Sequence, residues 1–375
     1  MKRVIPEKLS LHTPNKSLTI LHVLLSMGET SAPYNEHCLP MLGKRKIAIC
    51  TYFKPTVTPP SEIALFAGDG SLLGFFRALK AALAATKYDI IHAHSPHAVL
   101  FLLIARLFRH GDLMASTVCT MHSSYPNYKF RNKLMLIPAF AAPRRVVCCS
   151  HASFESFPGF YKRLAGDRLC VVQNGMDINR VDDVIGNRPE HCHNGRFTVV
   201  SVGRLINVKN PMAALSAFQH TDDRTSRLIF IGEGYLRDAL TLESKAHSLG
   251  RQVELTGLVQ REQVYEHLIK ADLFISTSWV EGLPVAVIEA MACRCPVLLS
   301  DIPPHREIAA GADFIPLIQP DDIAGFAQEI NRFRQMPASE RACIGEKCRR
   351  IAVERFSLAA MHKGYEAVYD QVPGR

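Results

Sequence analysis

The sequence predicts an α/β protein built from two doubly wound domains in series. Three observations lead there. Short apolar runs alternate with helical stretches from residue 18 onward. A polar stretch over 180–196 (RVDDVIGNRPEHCHNGR) interrupts the pattern. The alternation then resumes for a second unit of similar size. Strand followed by helix, repeated, points to a parallel sheet covered on both faces.

In the first unit, the apolar run at 20–25 reads as a strand, and KIAIC at 46–50 as another. Residues 74–85 are rich in Ala and Leu and form a helix. DIIHA at 89–93 is a strand, and 98–108 is a helix with a strongly apolar face. Strands follow at 114–120, at 145–149 (RVVCC) and at 169–172. In the second unit the strands are 197–202, 228–231, 253–255, 273–276 and 296–300. The helices are 211–219, with Pro211 in its first turn, 236–249, 261–270, 285–292, 323–333 and 340–354. A last helix over 358–368 can pack back on the first unit. The boundaries drawn are 1–185, 186–355 and 356–375. Two such domains place a cleft between the carboxyl ends of their sheets, where this class of fold binds ligands.

Composition excludes several classes. With 375 residues, 47% hydrophobic and 21% charged, the chain is globular and long enough for two cores. A net charge of +9 is a bias toward anionic ligands or an anionic membrane surface. Arg144–Arg145 and Arg349–Arg350 are only pairs, so there is no nucleic-acid-binding arm. The longest apolar run, AVLFLLIA at 98–105, is far shorter than the roughly 20 residues that span a bilayer. Eleven cysteines with no framework spacing fit a reducing cytoplasm. His191-Cys192-His193 reads as polar linker. No metal motif is apparent. Asp222-Asp223 and Asp321-Asp322 fall in loops.

Two segments carry chemistry. In the first, STSWVEGLPVAVIEA from Ser276 to Ala290, a strand end turns at Gly282 and Pro284 into a helix. A helix N-terminus leaves backbone N–H groups for a phosphate. Glu281 and Glu289 can each accept hydrogen bonds from sugar or ribose hydroxyls. A merely solvated helix explains them poorly, because a carboxylate embedded in VAVIEAMA needs a partner. The second segment, VSVGRLINVKNP from Val200 to Pro211, holds Arg204 and Lys209. A guanidinium with an ammonium suits a diphosphate, although two exposed loop cations would read the same.

These segments resemble the donor-binding core of retaining, GT-B-fold glycosyltransferases, the large group called glycosyltransferase family 4. The resemblance rests on Gly203-Arg204 with Lys209, and on Glu281 with Glu289. It extends to FIGEG at 230–234, LTGLV at 255–259, Ala271-Asp272, DIIHAH at 89–94, Thr120-Met121-His122, Ser150, and NGMD at 174–177. It implies two Rossmann-like domains, an acceptor side in 1–185 and a nucleotide-sugar side in 186–355. It implies that Arg204 and Lys209 hold the donor diphosphate, that Glu289 binds the ribose, and that Glu281 contacts the sugar above the Gly282–Leu283–Pro284 turn. The backbone of Leu283 and Val285 would meet phosphate. Gly203 and Gly234 would border the donor, Val259 would flank the base, and His122 would sit near the reacting centre, unless it only caps a strand end.

The implied reaction is hexosyl transfer, glucose- or mannose-type, from a nucleoside-diphosphate sugar to a hydroxyl acceptor with retention. The acceptor would attack on the face the diphosphate leaves. No cofactor and no metal are expected. Many relatives carry Gly-Gly after the first strand, whereas this chain has Gly28-Glu29-Thr30-Ser31, which with His94 is assigned to a polar acceptor. The acceptor would be a glycolipid, polysaccharide or glycoside precursor, either lipid-linked or free. Phe75, Phe76, Arg77 and Lys80, or Arg106, Phe108 and Arg109, are read first as ordinary core packing with solvated cations; peripheral contact at the cytoplasmic membrane face is the rival reading, which gains if the acceptor is lipid-linked. Other enzyme readings are a GT-B sugar-nucleotide epimerase or a phosphorylase. A non-catalytic nucleotide-sugar binding protein is the rival from a different class. No residue pattern specifies an oligomeric state.

Overall fold

The computed structural model describes residues 18–29, 31–107, 112–186, 195–221 and 225–372. The first sheet contains β1 (Thr19–Leu24), β2 (Lys46–Thr51), β3 (Ala64–Ala67), β4 (Ile90–Ala93), β5 (Thr117–Met121), β6 (Arg145–Cys148) and β7 (Leu169–Val171). All pair in parallel, in the order β3-β2-β1-β4-β5-β6-β7. The second contains β8 (Thr198–Val202), β9 (Arg227–Ile231), β10 (Val253–Gly257), β11 (Leu273–Ser276), β12 (Val297–Ser300) and β13 (Leu317–Ile318). It too is parallel, in the order β10-β9-β8-β11-β12-β13. Helices flank both sheets, and the two Rossmann-like units face each other across a cleft. Strand order reverses between β1 and β4, and again between β8 and β11. Crevices open at such reversals, where open α/β sheets bind their ligands.

The central strands are apolar because they are covered on both faces. β1, β4 and β5 are almost wholly buried. One face of the first sheet packs Phe75, Leu79, Val99, Leu102 and Phe140. The other packs the C-terminal helix Leu358–Tyr369, whose Leu358, Met361, Tyr365, Val368 and Tyr369 meet Ile20, Ile47, Ile90 and Val118. Those five positions form one face of a helix, and each large side chain buried there contributes roughly 1.5–3 kcal/mol. The second sheet has its own core, with Phe218, Phe230, Phe274, Phe326 and Phe333 fully enclosed. Cys50, Cys119, Cys148 and Cys149 are free and buried, as small apolar side chains.

Several elements differ from the sequence expectation. The strand expected over 114–120 starts only at Thr117, because Leu113–Ser116 is a 3-10 turn. Asp112 accepts from the Met114 N–H at 3.1 Å, and Thr117 Oγ1 donates to the Leu113 carbonyl at 2.8 Å, so the turn outcompetes the strand. The helix expected over 74–85 begins at Leu72, since Ser71 caps the Gly74 N–H at 3.0 Å. On that helix the favoured reading, core packing with solvated cations, holds, with Arg77 and Lys80 exposed. Phe75 is fully buried, and Phe76 packs against Phe75 and Phe101. Phe108 and Arg109 lie outside the described residues, as do Thr30, Asp222, Asp223 and His191 to His193. The edge strand β3 was not anticipated. It is short and half-exposed, so its apolar signal is weak. Among the described residues no helix is long and apolar enough to cross a membrane.

Candidate functional site

The loops after β8 and β11 leave the second sheet at its strand reversal. They enclose a cavity of about 60 Å³ lined by Gly203, Arg204, Lys209, Ser278, Glu281 and Val285, among others. Backbone contacts fix the two loops together. The Trp279 N–H donates to the Val208 carbonyl at 2.9 Å, and Thr277 Oγ1 donates to the Asn210 carbonyl at 2.7 Å. Asn210 takes the left-handed conformation that ends the short turn Asn207–Lys209 and lets Pro211 open the next helix. The neighbouring β9 loop lies directly on the β8 loop. A Cβ at Gly232 would stand 2.1 Å from the Gly203 oxygen, and one at Gly234 would stand 2.2 Å from that of Leu205. Gly234 therefore supports the cavity wall from behind and does not line it.

Lys209 Nζ donates to both carboxylate oxygens of Glu281, at 2.6 and 2.8 Å. Ser278 Oγ donates to Glu281 Oε1 at 2.7 Å. Glu281 is buried, and these bonds are what make a buried carboxylate tolerable. The ion pair leaves Arg204, which is exposed, as the cation in excess on the cavity wall. Helix Val285–Ala292 starts in the same wall with Pro284 as its N-cap. Its first N–H groups have no intrahelical acceptor, and the helix dipole adds positive potential. Cations and N–H donors thus converge on a space suited to a polyanion. His305, which the sequence did not bring out, lies behind it. Its Nδ1 is 2.8 Å from the Ser300 carbonyl and its Nε2 3.5 Å from Ser276 Oγ. Burial lowers its pKa to about 4, so it is neutral.

Glu289 does not line this cavity. It is buried beside Tyr265, whose hydroxyl donates at 3.2 Å, and Arg261, whose Nε lies 3.3 Å away. Arg261 also donates through Nη1 to Glu36 Oε1 of the first domain at 2.8 Å. These are the partners that an embedded carboxylate requires. Burial raises the pKa of both Glu289 and Glu36, and Arg261 opposes that rise. Val259 packs at the edge of the second core, next to the start of helix Arg261–Ile269.

The first domain closes on the Glu281–Gly282 turn. Ser124 Oγ donates to the Glu281 carbonyl at 2.6 Å, and Ser150 Oγ to that of Gly282 at 2.8 Å. A Cβ at Gly282 would meet the His122 carbonyl at 2.8 Å and Cys149 Sγ at 3.3 Å. Glu307 crosses the other way. It accepts from the N–H groups of His151 and Ala152 at 3.0 and 2.7 Å, at the start of helix His151–Ser156.

In the first domain, Gly28, Glu29 and Ser31 form a turn after β1. The Ser31 N–H donates to the Gly28 carbonyl at 3.0 Å, and Asn35 Nδ2 to that of Glu29 at 2.7 Å. None of the three reaches the cavity of the second domain. Five histidines gather at the reversal between β1 and β4: His22, His37, His92, His94 and His122. His22 and His92 stand at equal register on neighbouring strands. His22 Nδ1 lies 2.9 Å from His94 Nε2, and His94 Nδ1 lies 3.0 Å from His122 Nε2. His92 bonds Tyr369 at 2.8 Å and Thr120 at 2.7 Å, tying the C-terminal helix to the site. Nitrogens of His37, His94 and His122 lie within 4.8 Å of one another, as do those of His22, His92 and His94, spacings a metal ion can bridge. Burial keeps all five rings neutral, with the His122 pKa lowered to about 4.

The structure thus brings Gly203, Arg204, Lys209, Glu281 and Val285 into one cavity, and sets Gly282 against His122. Glu289, Val259 and the Gly28 turn stand apart from it. Sequence reasoning missed Ser278, Arg261, Tyr265, Glu36, His22, His37 and His305. His22 and the His92-x-His94 pair were open to discovery, because both strands flank the reversal.

Two facing doubly wound domains, with a cationic cavity at a strand reversal, define a GT-B-type protein. The family models agree: residues 43–180 match "Glycosyltransferase Family 4" and residues 187–350 match "Glycosyl transferases group 1". The chain belongs to glycosyltransferase family 4. It is 27% identical over 256 residues to the Bacillus subtilis glycosyltransferase TuaC, named for teichuronic acid biosynthesis. That match covers 65% of this chain and 61% of TuaC. It is 24% identical over 333 residues to the Escherichia coli UDP-Gal:alpha-D-GlcNAc-diphosphoundecaprenol alpha-1,3-galactosyltransferase, covering 83% of this chain and 81% of that one. Anabaena HepE, solved in complex with UDP, shares the fold, with a TM-score of 0.74 at 20% identity, over 94% of this chain and 100% of that one.

Proposed function

We propose that the chain transfers a hexose, glucose- or mannose-type, from a nucleoside-diphosphate sugar to a hydroxyl acceptor with retention of anomeric configuration. The observation that carries this reading is the cavity at the ends of β8 and β11, where Arg204, the Lys209–Glu281 pair and a helix N-terminus converge. The diphosphate lies against Arg204, Lys209 and the first N–H groups of helix Val285–Ala292. These groups stabilise the charge that builds on the leaving nucleotide, without a metal ion at that position. Glu281 is committed to Lys209 and Ser278, so it serves as a fixed acceptor for sugar hydroxyls and not as a nucleophile. Among the described residues no second carboxylate lines the cavity for a double displacement. The acceptor therefore attacks on the face the diphosphate vacates and passes its proton to a phosphate oxygen.

Glu289 binds the ribose hydroxyls, held in place by Arg261 and Tyr265. The Gly28–Ser31 turn and His94 border the acceptor. A polyprenyl-diphosphate or polysaccharide acceptor at the cytoplasmic membrane face is favoured, because compared proteins are named for such acceptors and pathways. The apolar anchor is then not Phe75 but the exposed Phe130 and Leu134, next to Lys129, Arg131 and Lys133.

The test is calorimetry across a panel of nucleotide sugars and free nucleoside diphosphates, with and without chelator. Binding of one nucleotide class that resists chelation, followed by transfer with the α-anomer retained, is the expected result. Binding that vanishes with chelator, or an inverted product, would overturn it.

A further inference from the structure

We propose that the chain of hydrogen bonds His22–His94–His122 fixes the tautomer of His122 with its proton on Nδ1, so that His122 meets its ligand as a hydrogen-bond donor. His94 and His22 are positioning residues.

The argument starts from one atom. Nε2 of His22 is buried without a hydrogen-bond partner among the described residues. A neutral imidazole carries one N–H and one lone pair. The N···N distances of 2.9 and 3.0 Å require one proton in each gap. Two arrangements satisfy this. In one, every proton points from His122 toward His22, and His22 is left with an N–H facing no acceptor. In the other, every proton points from His22 toward His122, and His22 is left with a bare lone pair. Among backbone groups, orphaned buried N–H donors are rarer than under-satisfied carbonyls; the same preference carried over to the imidazole selects the second arrangement. His22 Nδ1–H then donates to His94 Nε2, and His94 Nδ1–H donates to His122 Nε2. His122 Nε2 is thereby committed as an acceptor, and its proton sits on Nδ1.

All three rings are neutral in this chain, because burial depresses the pKa of His22 to about 3, that of His122 to about 4, and that of His94 well below its ordinary value. A donor at His122 suits a sugar hydroxyl oxygen or an oxygen gaining charge, and it cannot remove the acceptor proton through Nδ1. That functional consequence rests on the reading of His122 as a residue beside the sugar; the tautomer itself does not.

The test is long-range proton–nitrogen correlation on the full chain labelled with 15N-histidine at pH 8, with signals assigned through His122→Asn and His22→Phe. The expected spectrum shows His122 protonated at Nδ1 and bare at Nε2. In His22→Phe the His122 signal moves to a tautomer average, and kcat falls about tenfold with donor KM unchanged. His22→Asn retains a donor near the Nδ1 position and restores both. A His122 ring protonated at Nε2 would overturn the proposal, as would an unchanged tautomer in His22→Phe. Loss of the His94 and His122 N–H signals to a stoichiometric metal ion in the isolated protein would overturn it too. Should His22→Phe fail to fold, the wild-type spectrum decides alone. Should no sugar transfer be found, the tautomer assignment still stands or falls on that spectrum.

Discussion

Arg261 donates to the Glu36 carboxylate at 2.8 Å, and so joins the second domain to the first beside the carboxylate of Glu289. Glu36 sits on the π-helical turn Pro33–Cys38, which follows the Gly28–Ser31 turn, and its neighbour His37 enters the histidine cluster. One guanidinium therefore holds two buried carboxylates, one from each side of the cleft. The two domains share a charge.

Removing that charge strands both carboxylates. Arg261→Ala should lower stability by about 3–5 kcal/mol, the range for breaking a buried ion pair by deleting one partner. Combining it with Glu36→Gln should recover part of the loss, because one stranded charge is gone. Urea unfolding of the two variants checks this; equal losses in both would show that the carboxylates are not coupled. Affinity for a free nucleoside diphosphate should fall in Arg261→Ala, since Glu289 loses its orienting partner.

Lys209→Ala and Arg204→Ala should each reduce kcat by on the order of 10²–10³-fold, the scale for losing one preorganised charge-stabilising group. Lys209→Ala should cost stability as well, because Glu281 is left buried without its cation. Arg204→Ala should not, because Arg204 is exposed. Steady-state kinetics with thermal unfolding separate the two effects. Near-normal turnover in Arg204→Ala would remove it from the leaving-group role.

Gly282→Ala introduces a methyl 2.8 Å from the His122 carbonyl and 3.3 Å from Cys149 Sγ. The carbonyl cannot yield without disturbing the end of β5. The domains should be pushed apart at the Ser124 and Ser150 contacts. Overpacking of this kind costs about 1–3 kcal/mol, and misplacement by an ångström costs on the order of 10²-fold in rate. Turnover should therefore drop far more than stability. A fully active Gly282→Ala enzyme would mean that the domains do not close this way during transfer.

Much of this architecture was legible because β-strands buried on both faces are written as runs such as KIAIC and VVCC, and because Pro211 and Pro284 mark helix starts. The cavity residues were legible for a related reason. Gly203, Arg204, Lys209 and Glu281 occupy loops that follow strands, so their position relative to the sheet edge is local information. What was not legible is long-range. Glu36 and Arg261 are 225 residues apart, and nothing in either neighbourhood names the other. The start of the helix at Phe75 left a membrane face open beside the favoured core packing, because the sequence does not say which side of that helix meets the sheet. The histidines were visible singly, but their meeting depends on the strand order β1-β4-β5, a tertiary fact.

That meeting has a consequence for pH. His22, His92, His94, His37, His122 and His305 are all held neutral by burial, with pKa values of about 3 for His22, about 4 for His122 and His305, and well below the ordinary value for the rest. In the unfolded chain each titrates near 6.5. Between those values the unfolded state binds more protons than the folded one, so acid favours unfolding. The stability these groups confer is complete above pH 6.5 and is lost as pH falls toward the folded values. Each contributes a slope of up to about 1.4 kcal/mol per pH unit inside that window. Glu36 and Glu289 act oppositely, because burial raises their pKa and the folded state takes up their protons first. They are two against six, with His97, His267 and His362 shifted the same way as the six; the opposing effect of the two carboxyls begins at their raised folded values and is complete below their unfolded value of 4.5. Urea midpoints should stay level from pH 8 to 7 and fall steeply from 6.5 to 5. His305→Phe should flatten the fall by removing one proton from the difference. A midpoint that holds constant down to pH 5 would mean that these rings take up protons in the folded protein.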